Sequence, residues 1–227
     1  MFKPAVHILK YGSLEKLSNS ELEGALGLHV VTGLVVYERD GEKKCMVIEP
    51  GMICDFDGHM EKIRKLGLDP ERDISHVLCT HMHQDHVQAL GKYPVGTHVF
   101  HYGASSLLGT AEYGAKLYEE GFIEIPEIQY TKISNAHTHK DTIYIIDSEN
   151  EGKVAFVGDL VFAPFDVLSK ETQQNLDKDA SVDPEHRYVE FKKWFENNPD
   201  VTGFYLGHAD RKVGREEIQE YLSSYKL

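Results

Sequence analysis

The stretch HMHQDH at residues 81–86 is the most diagnostic part of this chain, because it places three imidazoles and one carboxylate within six positions. The preceding residues, ISHVLCT at 74–80, are apolar and rich in β-branched side chains, which predicts a buried strand that ends where the cluster begins. Ligands of α/β proteins often bind beyond the carboxyl ends of strands. Imidazole and carboxylate groups bind divalent metals, so the stretch predicts a metal site.

Further metal-ligand residue types follow other strand-like runs downstream. His137 lies in SNAHT at 134–138, Asp159 follows KVAFVG at 153–158, and His208 follows GFYLG at 203–207. A histidine-rich surface loop is the alternative interpretation, since the chain contains 13 histidines. The recurrence of one pattern, a strand followed by a polar ligand type, favours a single composite site.

The order of these motifs, HxHxDH, then a lone His, then Gly-Asp and Gly-His, resembles the metallo-β-lactamase-fold superfamily between residues 81 and 208. The resemblance implies an α/β fold in the form of a four-layer αββα sandwich, with two metals at one edge between the sheets. It implies that one metal is held by three histidines, the other by one aspartate and two histidines, and that a further aspartate bridges them: His81, His83 and His137; Asp85, His86 and His208; and Asp159. Asp85 and Asp159 would be the catalytic residues.

Two positions near these motifs leave questions open. VIEPG at 47–51 stands where the family often has Asp-Thr-Gly, so Glu49 replaces the customary Asp and the support of the metal ligands could differ. His137 and His139 both lie where the third imidazole is expected. His137 fits better because Thr138 follows it, and His139 is left as a substrate contact, a proton carrier or surface.

Length and hydrophobic spacing predict one compact α/β domain over residues 1–227. An aromatic stripe formed by Tyr188, Phe191 and Phe195, with Trp194 beside it, predicts the buried face of a helix. Strands are predicted at 5–11, 29–37, 44–49, 74–80, 98–102, 122–125, 127–133, 142–146, 153–157 and 203–206, and helices at 58–66, 185–197 and 215–225.

Composition narrows the partners and the compartment. The formal net charge of −13 makes nucleic acid a less favoured partner. The chain starts without an apolar leader-like segment and has no run of about 18 apolar residues, which predicts no membrane segment and a cytoplasmic location. The three cysteines, Cys45, Cys54 and Cys79, cannot all pair, and free thiols are expected.

The expected activity is hydrolysis at two divalent metal ions, with Zn²⁺ preferred and Fe or Mn as alternatives. A bridging hydroxide would attack a small-molecule ester, thioester or lactone carbonyl, and Tyr102 or Tyr205 could contact the developing oxyanion. The short segment after His208 disfavours a glyoxalase II-like enzyme, and His83 replaces the Glu of flavodiiron proteins, which favours hydrolysis.

Two other functions and the oligomeric state stay open. One alternative is a single-domain nuclease or phosphodiesterase. The other is a persulfide-dioxygenase-like enzyme with a single iron held by His81, His137 and Asp159. Some aromatic residues suit a dimer contact, a lid or a substrate wall, so a homodimer is an open possibility: Tyr113, Tyr118 and Phe165.

Overall fold

Two β-sheets pack face to face at the centre of the molecule, and helices cover their outer faces. This arrangement is seen in a computed structural model that describes residues 3–16, 26–102, 104–107, 127–162, 175 and 181–224. In chain order the elements are β1 (Ala5–Lys10), β2 (Ser13–Lys16), β3 (Leu26–His29), β4 (Thr32–Arg39), β5 (Glu42–Ile48), α1 (Phe56–Lys65), α2 (Pro70–Asp73), β6 (Ile74–Cys79), α3 (Gln84–Val87), β7 (His98–His101), β8 (Ala104–Leu107), β9 (Ile128–Ser134), β10 (Lys140–Ser148), β11 (Gly152–Gly158), α4 (Pro184–Asn197), β12 (Gly203–Leu206), β13 (Val213–Gly214) and α5 (Arg215–Ser224).

The first sheet has the strand order β1-β4-β5-β6-β7-β8, and the second has the order β13-β12-β11-β10-β9. Three neighbouring pairs are parallel, β5 with β6, β6 with β7, and β11 with β12. Strands β2 and β3 form a separate two-stranded sheet. Because β6, β11 and β12 are parallel to a neighbour, their carboxyl ends can present loop residues at one edge of the molecule.

Alternation along the central strands produces the layers. In β5, Met46 and Ile48 belong to the core between the two sheets, whereas Cys45 and Val47 belong to the core beneath α1. Successive strand residues point to opposite faces, so both faces of β5 are buried. The second sheet behaves in the same way, since Phe156 of β11 lies between the sheets and Val157 lies beneath the helices.

Helices complete the outer layers and confirm the four-layer αββα arrangement. The predicted aromatic stripe on α4 is buried against the second sheet together with residues of α5. Helix α1 packs Met60 and Ile63 against the first sheet. Helix α4 begins at Pro184. Asp183 is its N-cap, and the Asp183 carboxylate accepts a hydrogen bond from the His186 backbone N–H.

One predicted strand was wrong in extent. The run 29–37 forms two strands in different sheets, because β3 ends at His29 and β4 begins at Thr32. Between them, the Val31 N–H donates to the Gly207 carbonyl (2.9 Å), so this segment bonds to the loop after β12 instead of continuing a strand. The apolar residues at 30 and 31 are buried there, which explains why hydrophobicity alone predicted continuity.

Strand β1 is the edge of the first sheet, and a side chain from the other sheet covers it. The Val6 N–H donates to Asn150 Oδ1 (2.9 Å), and Asn150 Nδ2 donates to the Val6 carbonyl (2.7 Å). Glu149 N–H donates to the Pro4 carbonyl (3.0 Å). The turn between β10 and β11 therefore occupies part of the exposed edge.

Several other predictions can be compared with the structure. All three cysteines are free, with Cys45 and Cys79 buried, as predicted. The predicted strand at 122–125 and the three aromatic residues named for a dimer contact lie outside the described residues. Among the helices that the structure describes, none is long and apolar enough to cross a bilayer. The single-domain assignment stays a prediction.

Candidate metal centre

The structure brings all seven sequence-predicted ligand residues to one edge of the sandwich. The HMHQDH segment runs from the end of β6 into α3, and His137 lies in the loop between β9 and β10. Asp159 and His208 follow the ends of β11 and β12. The ligand atoms form two groups with one shared member, and within each group they lie within 4.8 Å of one another: His81, His83, His137 and Asp159; and Asp85, His86, Asp159 and His208.

Asp159 lies at the centre of both groups. Its Oδ2 atom is 3.5 Å from His137 Nε2 and 3.4 Å from His208 Nε2, and its Oδ1 atom is 3.3 Å from His86 Nε2. Two ligand atoms bound at tetrahedral angles to one Zn²⁺, each about 2.0–2.2 Å away, lie about 3.3–3.6 Å apart. The observed separations therefore fit a pair of metal ions that share this carboxylate.

The buried nitrogen atoms also fit a metal. The Nε2 atoms of His81, His86 and His208 and the Oδ1 atom of Asp159 are buried without a hydrogen-bond partner among the described residues. A buried polar atom without a partner costs free energy. Four such atoms that converge on one place are accounted for if cations bind there.

In each buried histidine of the two groups, the other ring nitrogen has a partner of its own. Nδ1 faces Thr80 Oγ1 in His81 (3.0 Å), Ser181 Oγ in His137 (3.4 Å) and the His29 carbonyl in His208 (3.0 Å). A partner at Nδ1 fixes the ring orientation and directs the Nε2 lone pair towards the metal position. This pattern is the one that metal-ligating histidines usually show.

Glu49 is the Nδ1 partner of His86, so it supports a ligand-type residue although it replaces the Asp that the family often has at this position. One carboxylate oxygen contacts His86 Nδ1, and the other accepts from the Thr80 N–H. Glu49 is buried and has a φ of +58°, in the left-handed region that is unfavourable for a non-glycine residue. The longer Glu side chain thus supports the HMHQDH segment at both ends, despite the departure from the customary Asp.

Electrostatics favour neutral rings at His81 and His137 and an ionised carboxylate at Asp159. Burial lowers the pKa of His81 well below its usual range and that of His137 to about 4, so both rings are neutral. Burial opposes ionisation of Asp159, but His208 and His86 outweigh it and hold the Asp159 pKa well below its usual range. Burial likewise lowers the pKa of His86 and of His208, yet the Asp159 carboxylate raises both. A bound cation would take the place of those protons.

Gly207 allows Asp159 to reach this position. A Cβ atom at residue 207 would overlap Asp159 Oδ1, far inside van der Waals contact. The Gly207 N–H donates to the Gly158 carbonyl (3.0 Å), which holds the two loops together. In the Gly-His pair at 207–208, the histidine is the ligand-type residue and the glycine leaves the space that the Asp159 carboxylate needs.

Other candidate residues lie outside the two groups. His139 is exposed and its Nδ1 faces Asn135 Oδ1 (2.9 Å), which leaves the third imidazole position to His137. Tyr205 is buried between the sheets and stacks on Phe156 with 4.6 Å between ring centroids, so the oxyanion contact suggested for it is wrong. The Tyr102 hydroxyl bonds to Ser134 Oγ.

Sequence reasoning missed two residues that pack behind the ligands. The Phe162 ring stacks on His208 (6.0 Å between centroids) and meets His137 edge-on (5.4 Å). Arg187 of α4 is completely buried, donates to the Asp159 carbonyl (3.2 Å) and lies over the Phe162 ring. A signal for Arg187 existed, because it occupies the apolar stripe of α4 four residues before Phe191.

The fold and these two groups define a class of protein, namely αββα sandwiches with a histidine- and aspartate-rich metal centre at the sheet edge. The chain belongs to the metallo-beta-lactamase superfamily, whose family model matches residues 27–208. That match includes every one of the seven ligand-type residues. Family membership and the residue set together indicate a metal-dependent hydrolase.

Comparisons with individual proteins find lactonases. The chain is 37% identical over 57 residues to the N-acyl homoserine lactonase AttM of Agrobacterium fabrum, covering 22% of this chain and 21% of that protein. It is 38% identical over 55 residues to AttM of Azorhizobium caulinodans, covering 24% of this chain and 20% of that protein. The chain therefore aligns with about a fifth of the length of these curated relatives.

Solved structures support the fold over nearly the whole chain. A Thermotoga maritima protein provisionally named a metallo-beta-lactamase has a TM-score of 0.63 at 16% identity, over 93% of this chain and 99% of that chain. A variant of AiiA from B. thuringiensis, with N-decanoyl-L-homoserine bound at its active site, has a TM-score of 0.58 at 17% identity, over 100% and 98%. At these identities the similarity establishes the αββα fold alone.

Proposed function

We propose that this protein is a dinuclear-metal hydrolase that opens small lactones, cyclic esters whose carbonyl is attacked by water. The observation that carries the proposal is the pair of ligand groups that share Asp159. Two divalent cations bound there, with Zn²⁺ preferred and Fe or Mn as alternatives, would polarise the carbonyl and make water nucleophilic at neutral pH. The seven residues of the two groups would hold them.

The two carboxylates of the centre suit different tasks. Asp159 is buried, and its pKa stays well below the usual range, so it remains ionised and cannot carry a proton at neutral pH. The Asp85 side chain is 19% exposed and its Oδ2 lies 3.5 Å from His208 Nε2. Asp85 therefore combines a place in the centre with access to solvent, which suits the proton transfer that a departing alkoxide needs.

The exposed side of the centre indicates where a small-molecule substrate would enter. His83 is exposed, whereas His81, His137 and His86 are buried. Met82, between two of these histidines, is 47% exposed and adds apolar surface beside them. A small ester ring with an apolar substituent matches this combination, and the lactonase relatives give independent support for a lactone over a thioester or an open-chain ester.

Neither alternative function gains from the structure. A phosphodiesterase that binds nucleic acid would work against the net charge of −13. A single-iron enzyme would use only His81, His137 and Asp159. It would give no role to the other three ligand-type residues that converge on Asp159, namely Asp85, His86 and His208. Both alternatives become outcomes of the tests below.

Metal content is the first test. Elemental analysis of protein purified without added metal should give two zinc-like ions per chain. About one iron per chain would contradict the proposal and would direct attention to oxygen consumption with a persulfide. The His83→Ala variant is the matched comparison, because it removes one ligand of one group and should retain fewer ions than the wild type.

A substrate panel is the second test. Ring opening releases one proton for each lactone hydrolysed at neutral pH, so a pH indicator follows the reaction directly. We expect turnover of γ-butyrolactone or N-hexanoyl-L-homoserine lactone to exceed that of a thioester and of bis(p-nitrophenyl) phosphate, and a chelator to abolish it. Faster cleavage of the phosphodiester by the same metal-loaded preparation would overturn the lactone assignment.

A further inference from the structure

His208 depends on a segment near the start of the chain. Its Nδ1 donates to the backbone carbonyl of His29 (3.0 Å), and the neighbouring Gly207 carbonyl accepts from the Val31 N–H (2.9 Å). A ligating histidine is aimed by the partner of its second ring nitrogen, and loss of such a partner usually weakens metal binding. The position of the His29 backbone therefore sets the position of one metal ligand.

Among the residues that the structure describes, the His29 backbone belongs to neither main sheet. His29 is the last residue of β3, which pairs with β2 in the small separate sheet. Its side chain is held instead by two charged groups of the first half of the molecule. His29 Nδ1 lies 2.9 Å from Asp55 Oδ2 and 2.8 Å from Lys10 Nζ, and Lys10 Nζ donates to Asp55 Oδ1 (2.5 Å).

This cluster, Lys10, His29 and Asp55, is an ion-pair site and not a third metal site. Cys54 Sγ joins His29 and Asp55 in a group whose potential ligand atoms lie within 4.8 Å of one another. However, the ammonium group of Lys10 already lies within 2.8 Å of the imidazole nitrogen and donates to the carboxylate, and so supplies the positive charge there. The Lys10 and Asp55 side chains are only 30% and 14% exposed, so solvent screens the pair incompletely.

A glycine two residues after Lys10 brings the same segment against the ligand. A Cβ atom at Gly12 would lie 2.7 Å from the backbone Cα and C atoms of His208. Gly12 therefore lies directly on the His208 backbone, while the Lys10 side chain contacts His29. Both contacts come from residues that precede the segment matched by the family model.

We propose that Lys10 and Asp55 are positioning residues for the metal ion bound by the Asp85, His86, Asp159 and His208 group. They fix the His29 side chain, the His29 carbonyl fixes His208, and Gly12 supports the His208 backbone. The inference rests on the metal centre of the proposed function but not on its substrate. It makes one of the two ions depend on a charge pair outside the ligand set.

Metal binding in the absence of substrate tests this inference. Zn²⁺ affinity is measured by chelator competition on the Cys54→Ser variant, which serves as the reference protein, and on the same variant with Lys10→Met added. Cys54→Ser is present in every protein compared, so that removal of the Lys10 ammonium cannot create a new Cys-His-Asp site. We expect one of the two binding steps, that of the ion at the Asp85, His86, Asp159 and His208 group, to weaken by up to about 10- to 100-fold, the range for loss of a ligand's direct partner. The other step should stay unchanged. Asp55→Asn should weaken the same step as Lys10→Met.

Three comparisons make the result decisive. Lys10→Arg retains the positive charge and should restore most of the affinity. Lys3→Met removes an exposed lysine that pairs with Asp147 (2.7 Å) on the same sheet edge, and should change neither step. The NMR signal of the proton bonded to His208 Nδ1 is assigned by its loss in His208→Gln. In Lys10→Met this proton should exchange with water faster.

Two results would overturn the inference. One is two binding steps in Lys10→Met that match those of the reference protein. The other is equal weakening of both steps, which would signify general damage to the fold. Neither result would contradict lactone hydrolysis by the reference protein. Conversely, a protein that binds two ions and hydrolyses no lactone would contradict the proposed function and leave the positioning role intact.

Discussion

At the scale of single residues, Gly207 is a position where the centre tolerates no side chain. A Cβ atom there would overlap the Asp159 carboxylate, which the imidazoles of His81, His86, His137 and His208 surround. We expect Gly207→Ala to displace Asp159 and to lower the metal content from two ions towards none, measured by elemental analysis. Gly58→Ala is the control, because its Cβ would meet nothing within 4 Å in α1 and Ala favours a helix. Full metal content in Gly207→Ala would contradict the central position of Asp159.

The two histidines at 137 and 139 provide a second test at this scale. His137→Ala should lose metal and activity because the ring is buried in the first group, whereas His139→Ala should keep the metal because its ring is exposed. Metal content and lactone turnover are measured on both. A His139→Ala protein that loses metal while His137→Ala keeps it would reverse the assignment.

At the residue scale, the sequence was informative where a potential ligand directly follows a strand. The seven ligand-type residues follow strands in a recurrent pattern, and the structure brings them together, while their binding of metal is proposed. The contacts of Lys10, Asp55 and Arg187 could not be predicted, because each joins residues far apart in sequence. Tyr205 was assigned wrongly, since a tyrosine before Gly-His is equally compatible with core packing.

At the scale of elements, helix α4 covers one face of the second sheet, and its Arg187 donates to the backbone carbonyl of Asp159 in the candidate metal centre. Phe191 is fully buried in that core, and Val189 on the same helix is 44% exposed. We expect Phe191→Ala to lower the free energy of unfolding by about 3–5 kcal/mol, measured by urea denaturation. Val189→Ala should change it by roughly 0.5 kcal/mol or less. Equal effects would show that the helix does not pack as described.

The extents of elements were predictable where burial has a period. Both faces of β5 and β11 are buried, so their apolar runs predicted the strands, and the aromatic stripe predicted α4. The run 29–37 misled because its apolar residues at 30, 31, 34 and 35 are all buried, although the chain leaves one sheet and enters another between them. That change depends on a hydrogen bond to Gly207, which no local pattern encodes.

At the scale of the whole molecule, the buried imidazole of His59 makes stability depend on pH. Burial lowers the pKa of His59 from 6.5 to about 4, and neither ring nitrogen has a hydrogen-bond partner among the described residues. The unfolded chain therefore takes up a proton at a higher pH than the folded protein does. Above pH 6.5 this group does not lower the free energy of unfolding. As the pH falls from 6.5 towards 4, the free energy of unfolding decreases, because only the unfolded chain binds the proton.

Replacement of His59 tests this linkage. Metal-free wild type and His59→Leu are compared by urea denaturation from pH 7 to pH 4, so that metal release does not contribute. We expect the wild type to lose up to about 3 kcal/mol more than the variant across this range. Parallel stability curves would mean that His59 is protonated equally easily in the folded and unfolded chains.

Asn150, which bonds to both backbone groups of Val6, bears on self-association. An uncovered edge strand is a template on which another chain can add a strand and begin an aggregate. Here one amide side chain behaves as a strand one residue long and takes up, at Val6, two of the hydrogen bonds that another chain would need to pair with β1. The fold thus carries its own protection against polymer growth along β1.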